Sequence, residues 1–301
     1  MMADGPRERR RVDMAAEIMG DEEQAIAYLH SAFTLAMLPH RKPENDNEPW
    51  IRSNGRFALT VAPSIFATPD GTRHLVGVPY GTRARLILIY LQTEAVRTRA
   101  RTIDMGGSMS NWMHGLGLAV TGGKTGSISA VKDQVARVAR CKFTMAWEGD
   151  NGGIWLDDAR LVEGASLWFP RDGRQGVLWP SYIELAQSFF DNLLTHAVPL
   201  DETAIRALKG SSLALDLYVW LAHRLPRIKV PAMVSWEALQ HQFGSDYRRR
   251  RDFAAKVHET LKDVLAVYRD ARVEDRDGGL MLRHSKPPIA RRNRVIEGKG
   301  S

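Results

Sequence analysis

The segment GLAVTGGKTGSIS, residues 117–129, contains the residue types of a phosphate-binding loop. Such a loop needs glycine, four residues and then Gly-Lys-Ser/Thr, because its backbone amides and its lysine must converge on the same phosphates. Before Gly123-Lys124-Thr125 the required glycine would stand at position 118, which is Leu118. The residues that precede the segment do not resemble a buried strand either. The spacing therefore disfavours nucleotide hydrolysis, and we expect the glycines to shape a tight turn between two short helices.

Other catalytic groupings are equally incomplete. The sequence has no His-x-His pair of the kind that holds a metal in a rolling-circle nickase, and no Gly-x-Ser-x-Gly elbow. His258-Glu259 is followed by Lys262 where a zinc protease would need its second histidine. Asp275 and Asp277 stand among glycines and are more typical of a turn than of a metal site. We expect no catalytic residues, no metal and no cofactor, so that the protein is not an enzyme.

Composition and charge narrow the class further. A chain of 301 residues with 44% hydrophobic residues is typical of about two globular domains. The single cysteine, Cys141, excludes an internal disulfide framework and a cysteine-rich zinc module, which favours a cytoplasmic protein. No apolar run is long enough to span a bilayer, so we expect no membrane partner. The net charge of +7 and the pI of about 9.6 favour a polyanionic partner.

The first half combines helical periodicity, short strands and a possible hairpin. In chain order, the pattern predicts a helix from Asp21 to Leu38, a linker over 41–49, strands near 56–62 and 74–78, a helix over 82–99, a helix over 108–116, a helix over 127–140, and strands near 142–148 and 153–169. The last two strands flank a glycine-rich turn of the right size for the wing of a winged helix.

The helix over 127–140 is the first candidate for DNA reading. Ile128, Val131, Val135 and Val138 recur on one face, which predicts a buried stripe. The residues expected to contact DNA lie on its polar side and in the turn before it: Lys124, Thr125, Ser127, Ser129, Lys132, Gln134, Arg137 and Arg140.

The second half repeats this order. Helices are predicted over 180–194 and 211–225, then a short helix that begins at Ser235 and ends at Gly244. A further helix is expected to start near Ser245 or Asp246, with a buried stripe of Phe253, Val257, Leu261, Val264, Leu265 and Tyr268. Strands over 271–274 and 280–283 are then expected to flank the turn 275–279 and to form a second candidate hairpin.

Four successive arginines at the start of that last helix carry the strongest charge signal. At the beginning of a recognition helix they could neutralise phosphates and let one or two side chains reach guanine edges. The alternative is a basic helix end that faces solvent. The residues expected to contact DNA here are Tyr247, Arg248, Arg249, Arg250, Arg251, Lys256, Arg276 and Arg283.

These patterns predict an α+β fold of two tandem winged-helix domains, with an additional N-terminal helix and flexible basic ends. The predicted divisions are an N-terminal helix and linker over 1–45, a first winged-helix domain over 46–172, a second over 173–290, and a flexible basic tail over 291–301. The basic residues near both ends read more readily as solvated tails than as specific binding arms.

Several separated motifs in one order resemble those of RepA-type plasmid replication initiators. The resemblance runs from about Leu38 to Pro288. The matching residues are Gly77-Val78-Pro79-Tyr80-Gly81, Arg85-Leu86, Thr93-Glu94-Ala95, Leu116-Gly117-Leu118, Thr121-Gly122-Gly123, Gln134, Val198-Pro199-Leu200-Asp201, Leu215-Asp216-Leu217-Tyr218, Trp220-Leu221-Ala222-His223-Arg224, Ser235-Trp236 and Gln242-Phe243-Gly244.

The resemblance implies a non-enzymatic bacterial protein that binds double-stranded DNA at repeated origin sites, called iterons, and helps to open the origin. It also implies contacts with a host initiator and a replicative helicase, a role in copy control, and a homodimeric form. A winged-helix transcriptional repressor, acting for instance on its own promoter, would share every physical feature described above. That alternative stays open at the level of the sequence.

Overall fold

The chain forms a mixed α+β fold in a computed structural model. The structure describes residues 5–21, 24–105, 113–115, 117–118, 121, 126–150, 152–165, 181–244 and 247–289. Its helices are α1 (Pro6–Gly20), α2 (Ala32–Leu35), α3 (Gly81–Thr98), α4 (Ser127–Arg140), α5 (Gln187–His196), α6 (Glu202–Leu208), α7 (Ser212–Arg224), α8 (Trp236–Phe243) and α9 (Arg250–Val267), with a short 3-10 turn at Leu225–Arg227. Its strands are β1 (Ile26–His30), β2 (Trp50–Asn54), β3 (Phe57–Ala62), β4 (Ser64–Ala67), β5 (Arg73–Val76), β6 (Thr102–Asp104), β7 (Lys142–Glu148), β8 (Ile154–Arg160), β9 (Val162–Ala165), β10 (Tyr182–Leu185), β11 (Ala197–Asp201), β12 (Ala232–Ser235), β13 (Val273–Arg276) and β14 (Gly279–Leu282).

The second half runs α7, β12, α8, α9, β13 and β14, with an antiparallel sheet of order β12-β14-β13. α7 is buried almost all round, as expected for a strongly apolar helix. The buried stripe of α9 includes Phe253, Val257, Leu261 and Val264, as the helical spacing predicts. The hairpin β13–β14 requires a glycine at Gly279. There φ is +148° and an added Cβ would lie 2.0 Å from the carbonyl oxygen of Val234.

The first half shows the same sheet order around its own helices. From α3 onwards it runs α3, β6, α4, β7, β8, β9 and β10, and β6, β9 and β10 form a three-stranded sheet of order β6-β10-β9. The predicted helix over 108–116 lies largely outside the described residues, as does the glycine turn over 122–125. The helices predicted over 82–99 and 127–140 are confirmed as α3 and α4.

The hairpin expected to be the wing of the first half has a different place in the fold. β7 and β8 pair with each other, but β7 also pairs with β3, so that the hairpin belongs to a four-stranded sheet of order β2-β3-β7-β8. The chain then bends at Leu161, and β9 joins β10 instead of continuing β8. The sequence could not show this, because both pairings of β7 look alike from local alternation.

Three other local predictions are wrong. Residues 21–38 do not form one helix, because Ile26–His30 pair with Ala197–Asp201 as β1 and β11, and a non-local strand pairing overrides helical spacing. The predicted helix over 180–194 begins instead as strand β10, paired with β6, and only then becomes α5. The predicted N-terminal tail contains α1, whose Met14 is buried.

One hydrophobic core joins the two halves. Buried residues from β1, α3, α4, α7 and α9 belong to a single continuous cluster. β10 lies beyond residue 173 and is hydrogen-bonded to β6 and β9 on the other side of the predicted domain boundary. The division into domains stays a prediction. Among the described helices, none is both long and apolar enough to cross a bilayer.

Candidate nucleic-acid interface

The short helix α8 and the turn after it position the start of α9. Ser235 begins α8 as predicted, its Oγ accepting a hydrogen bond from the backbone N–H of Ala238 at 3.1 Å. α8 ends at Gly244, where an added Cβ would lie 2.8 Å from Cδ2 of Phe253. The Gln240 amide then donates to the carbonyl oxygen of Tyr247 at 3.0 Å. These contacts fix the turn between α8 and α9. A rigid turn is needed here, because it sets the orientation of α9 toward a ligand.

The arginine run spans the end of this turn and the first turn of α9. α9 begins at Arg250, because Arg249 has an extended backbone with φ −116° and ψ 129°. Arg248 and Arg249 therefore precede the helix, and the prediction that the helix starts near Ser245 or Asp246 is wrong. All four arginines are exposed. Two of the four arginines therefore lie before the helix and two lie in its first turn, so the run does not form one continuous helical face.

The acidic partners of these arginines are weak. Arg250 lies 4.0 Å from the carboxylate of Glu237, and Arg251 lies 3.5 Å from its neighbour Asp252, with most of both arginine side chains exposed. Surface pairs of this kind contribute little and exchange readily for other anions. Lys256, one turn further along, is also exposed and pairs with Glu259 at 3.2 Å. Phosphate groups could therefore replace these carboxylates as the partners of the positive side chains at the start of α9.

Tyr247, which precedes the four arginines, packs its ring against Phe253 of α9. It is half-buried, and its ring meets the edge of the Phe253 ring at a centroid distance of 5.5 Å. It was expected to contact DNA, but the structure gives it a packing role at the base of the turn. Whether its hydroxyl also reaches a ligand stays a prediction.

The hairpin β13–β14 stands beside α9 and is tied to it by His258. Nδ1 of His258 lies 2.6 Å from Oδ2 of Asp275 on β13, and the His258 ring packs on Trp236 of α8 at 4.8 Å between centroids. In the sequence, His258 belongs only to an incomplete zinc motif, and Asp275 is typical only of a turn. No single-sequence signal joins two residues that meet only after the hairpin folds back.

Arg276 and Arg283 of this hairpin converge on one carboxylate. Arg276 lies 2.5 Å and Arg283 2.7 Å from Glu274. Hydrogen bonds from Arg283 and then Arg276 hold the pKa of Glu274 below its ordinary value. The net charge of the three residues is therefore about that of one arginine, and their expected DNA contacts stay a prediction.

In the first half, two of the expected contact residues face the interior. Gln134 is buried and accepts a hydrogen bond from the backbone N–H of Tyr80 at 2.8 Å. Arg137 is buried too, where it binds Asp46, Asp133 and the carbonyl oxygen of Val78. Burial lowers the pKa of Arg137, but the hydrogen bond and charge of the two carboxylates outweigh that effect and raise it. Contrary to expectation, these two side chains hold α4 to the fold and are not available to DNA.

The other residues of the first half that were expected to contact DNA lie either at the surface or outside the described residues. Lys124 and Thr125 lie outside the described residues. Ser127 accepts a hydrogen bond from the backbone N–H of Thr121 at 2.8 Å, which ties the start of α4 to Thr121. Ser129 and Arg140 are exposed, Lys132 is half-exposed, and the Arg140 guanidinium stacks 4.3 Å from the centroid of the Phe66 ring. The accessible positive surface of α4 is thus smaller than its sequence indicates.

A buried ion pair joins the leading helices of the two halves. Arg85 of α3 donates from Nε and Nη2 to the two carboxylate oxygens of Asp216 on α7, each at 2.6 Å. Its remaining N–H groups donate to the carbonyl oxygens of Leu38, Pro39 and Gly81, and His40 Nε2 lies 2.8 Å from the same carboxylate. Burial raises the pKa of Asp216, but the charge of Arg85 and the hydrogen bonds of His40 and Arg85 hold it below its ordinary value. Both residues lie in family-like motifs, yet nothing in one sequence pairs them.

The elements and surfaces above can be compared with known proteins. A family model described as plasmid encoded RepA protein matches residues 78–238, which is more than half of the chain. The chain belongs to the plasmid-encoded RepA protein family. This membership makes it a RepA-type plasmid replication protein, as the sequence motifs indicated.

The crystal structure of domains 2 and 3 of RctB is similar in fold, with a TM-score of 0.52 and 14% sequence identity. The match covers 83% of this chain and 95% of that chain, so it extends over both halves. At this identity the similarity concerns the fold alone. Comparison with curated protein sequences gives no match.

Proposed function

We propose that this RepA family member is a plasmid replication initiator that binds repeated origin sites through two winged-helix modules. The observation that carries the proposal is the repeated order of elements. In both halves a leading helix, a strand and a further helix precede a strand pair, and the three strands form a sheet of order first-third-second, with β7 and β8 inserted before the strand pair of the first half. This sheet order supports the winged-helix proposal, since in such a module the last helix before the wing enters the major groove.

In the second module α9 is the recognition helix and β13–β14 is the wing. The exposed arginines at the start of α9 supply phosphate contacts, and one or two of them reach base edges. The 2.6 Å contact between Nδ1 of His258 and Oδ2 of Asp275 keeps the wing at a fixed angle to the helix. In the first module α4 has the corresponding place, with Ser129, Lys132 and Arg140 as its accessible polar residues.

The two modules act as one body in this proposal. The bidentate contact between Arg85 and Asp216 fixes the leading helices against each other inside the shared core. A rigid pair of modules would read two patches of DNA at one spacing, which suits a long repeat better than two short independent sites. The entropy lost on docking the second module is smaller when its position is already fixed.

The remaining parts of the proposal follow the family. The protein acts in the bacterial cytoplasm without catalysis of its own, helps to open the origin, and brings a host initiator and the replicative helicase to it. Copy control would then depend on the balance between monomer and homodimer.

A complementation experiment separates initiation from repression. The protein is supplied from a second replicon, and an origin-only plasmid carrying the cognate repeats is introduced into the same cells. We expect transformants with wild-type protein and none with the double variant Arg250→Ala/Arg251→Ala, whose folding is checked by its thermal unfolding. The matched control Arg269→Ala changes an exposed arginine beyond the other end of α9 and should replicate the plasmid.

If wild-type protein binds the repeats but never supports replication in trans, the protein is a repressor and the proposed function is wrong. If it binds no DNA at all, both the initiator and the repressor are excluded.

A further inference from the structure

The N-terminal helix α1 lies alongside the middle of α9. Arg11 Nε donates to Oδ1 of Asp263 at 2.6 Å and Nη2 to the carbonyl oxygen of Glu259 at 3.3 Å, while Arg7 forms an ion pair with the Glu259 carboxylate. Residue numbers rise in the same direction along both helices at these contacts. The N-terminus of α1 therefore points to the same side of the molecule as the arginine-bearing start of α9.

α1 and the wing occupy opposite flanks of α9. Asp275 of the wing contacts His258, whereas α1 contacts Glu259 and Asp263, and consecutive positions on a helix are separated by about 100° around its axis. Between the two flanks runs a stripe of exposed residues that includes Arg251 and Lys262. When this stripe faces a DNA groove, the wing stands beside one strand of the duplex and α1 stands beside the other.

The arginines of α1 lie next to the carboxylates on this flank of α9. Without α1, this flank of α9 would carry the carboxylate of Asp263 and that of Glu259, of which only Glu259 has a partner among the described residues of α9 itself, Lys256. An unpaired carboxylate there would repel a phosphate backbone. Arg7 pairs with Glu259, Arg11 pairs with Asp263 and also with Glu8 of α1 at 3.2 Å, and Arg9 and Arg10 add exposed positive charge. Arg10 is held by the carbonyl oxygen of Ala207 at 3.3 Å, while Arg9 lies on the side of α1 away from the buried Met14. The positive charge of α1 is concentrated in residues 7–11, whereas Asp13 and Glu17 lie further along the helix. The helix thus offsets the acidic charge of this flank and places Arg9 at its surface.

We propose that α1 is an additional DNA-contacting element, which binds the phosphate backbone on the flank of α9 opposite the wing. The inference rests on the proposed function, since it takes α9 as the helix that enters the groove. It assigns Arg9 as a direct phosphate contact and Arg11 as a positioning residue that holds α1 in place through Asp263. Arg9 is two positions from both Arg7 and Arg11, so it lies on the face of α1 that points away from α9. Its exposed charge is complementary to a DNA backbone that passes along this flank.

The test measures binding of the full chain to origin-repeat and scrambled duplexes over a salt series. Arg9→Glu should weaken binding to both duplexes about three- to tenfold and flatten the slope of log K against log salt by about one unit, as loss of one phosphate contact requires. The matched control is Arg269→Glu, the same charge reversal at an exposed residue beyond the far end of α9, which should leave both quantities unchanged.

A charge swap tests the positioning role. Arg11→Asp should undock α1 and weaken binding at least as much as Arg9→Glu, whereas the double variant Arg11→Asp/Asp263→Arg restores the pair at unchanged net charge and should regain most of the affinity. Hydroxyl-radical footprints should show protection next to the α9 site that both single variants lose. Unchanged affinity in Arg9→Glu, or tighter binding when α1 is undocked, would overturn the inference while the proposed function stands. Failure of the wild-type chain to bind DNA would overturn both.

Discussion

Asp216 shows how a single residue can link two halves of a chain. It is buried, and its carboxylate accepts hydrogen bonds from Arg85 and from His40 in the space between α3 and α7. A buried charge of this kind is stable only while its partner remains, because neither group can recover its hydration. The sequence shows both residues but not their pairing, since they lie 131 positions apart and no local periodicity relates them.

Asp216→Asn should therefore destabilise the protein strongly. It leaves the Arg85 guanidinium buried without a counter-charge, at a cost of about 3–5 kcal/mol in the free energy of unfolding. The measurement is urea unfolding followed by circular dichroism. As a control, Glu202→Gln removes the carboxylate from the pair with Arg97, which is 2.8 Å long but partly exposed, and should cost less than about 1 kcal/mol. Equal costs for the two variants would show that the buried pair has no special role.

At the scale of elements, the sequence predicted correctly those helices and turns that depend on residues close together in the chain. The caps of α8, the apolar face of α7 and the glycines of the second hairpin were all visible in the sequence, and the structure confirms those elements. The failures share one cause, which is pairing between distant strands. β1 pairs with β11, β10 with β6 and β7 with β3, and none of these partners can be identified from one sequence.

The candidate site divides in the same way. The arginine run at the start of α9 is exposed, as its charge predicted, because four successive arginines could not all be buried. Gln134 and Arg137 were misplaced because α4 packs against the fold on more sides than its apolar stripe indicates. His258 and α1 were missed because their partners lie on other elements.

The second hairpin offers a test at this scale. Gly279→Ala should destabilise the protein by about 1–3 kcal/mol and weaken DNA binding, because its backbone has φ +148° and the added Cβ would meet the backbone at Val234. Its neighbour Gly278 is the control, since there a Cβ would lie 3.4 Å from Cε of Met233, an ordinary contact. Thermal unfolding of both variants measures the difference. If Gly278→Ala costs as much as Gly279→Ala, the close approach of β12 and β14 is not what requires glycine.

At the scale of the whole molecule, one core and one buried ion pair join two sets of elements with the same order. The basic surface of the second set, at the start of α9, is more exposed than that of the first, where α4 uses Arg137 to hold its own position. We therefore expect the second half to supply most of the sequence reading, and the first half to supply backbone contacts and spacing.

The central claim, that α9 reads DNA, is tested most directly by measuring binding of four single variants across a salt series. Arg248, Arg249, Arg250 and Arg251 are each replaced by alanine in the full chain, with Arg269→Ala as the control, and bound to origin-repeat and scrambled duplexes. At least one variant, at Arg249 or Arg250, should lose about 1–3 kcal/mol on the repeat and little on the scrambled duplex. Others should weaken both duplexes alike and flatten the salt slope by about one unit. If all four keep the wild-type affinity, slope and discrimination, α9 does not read the origin and the account is contradicted.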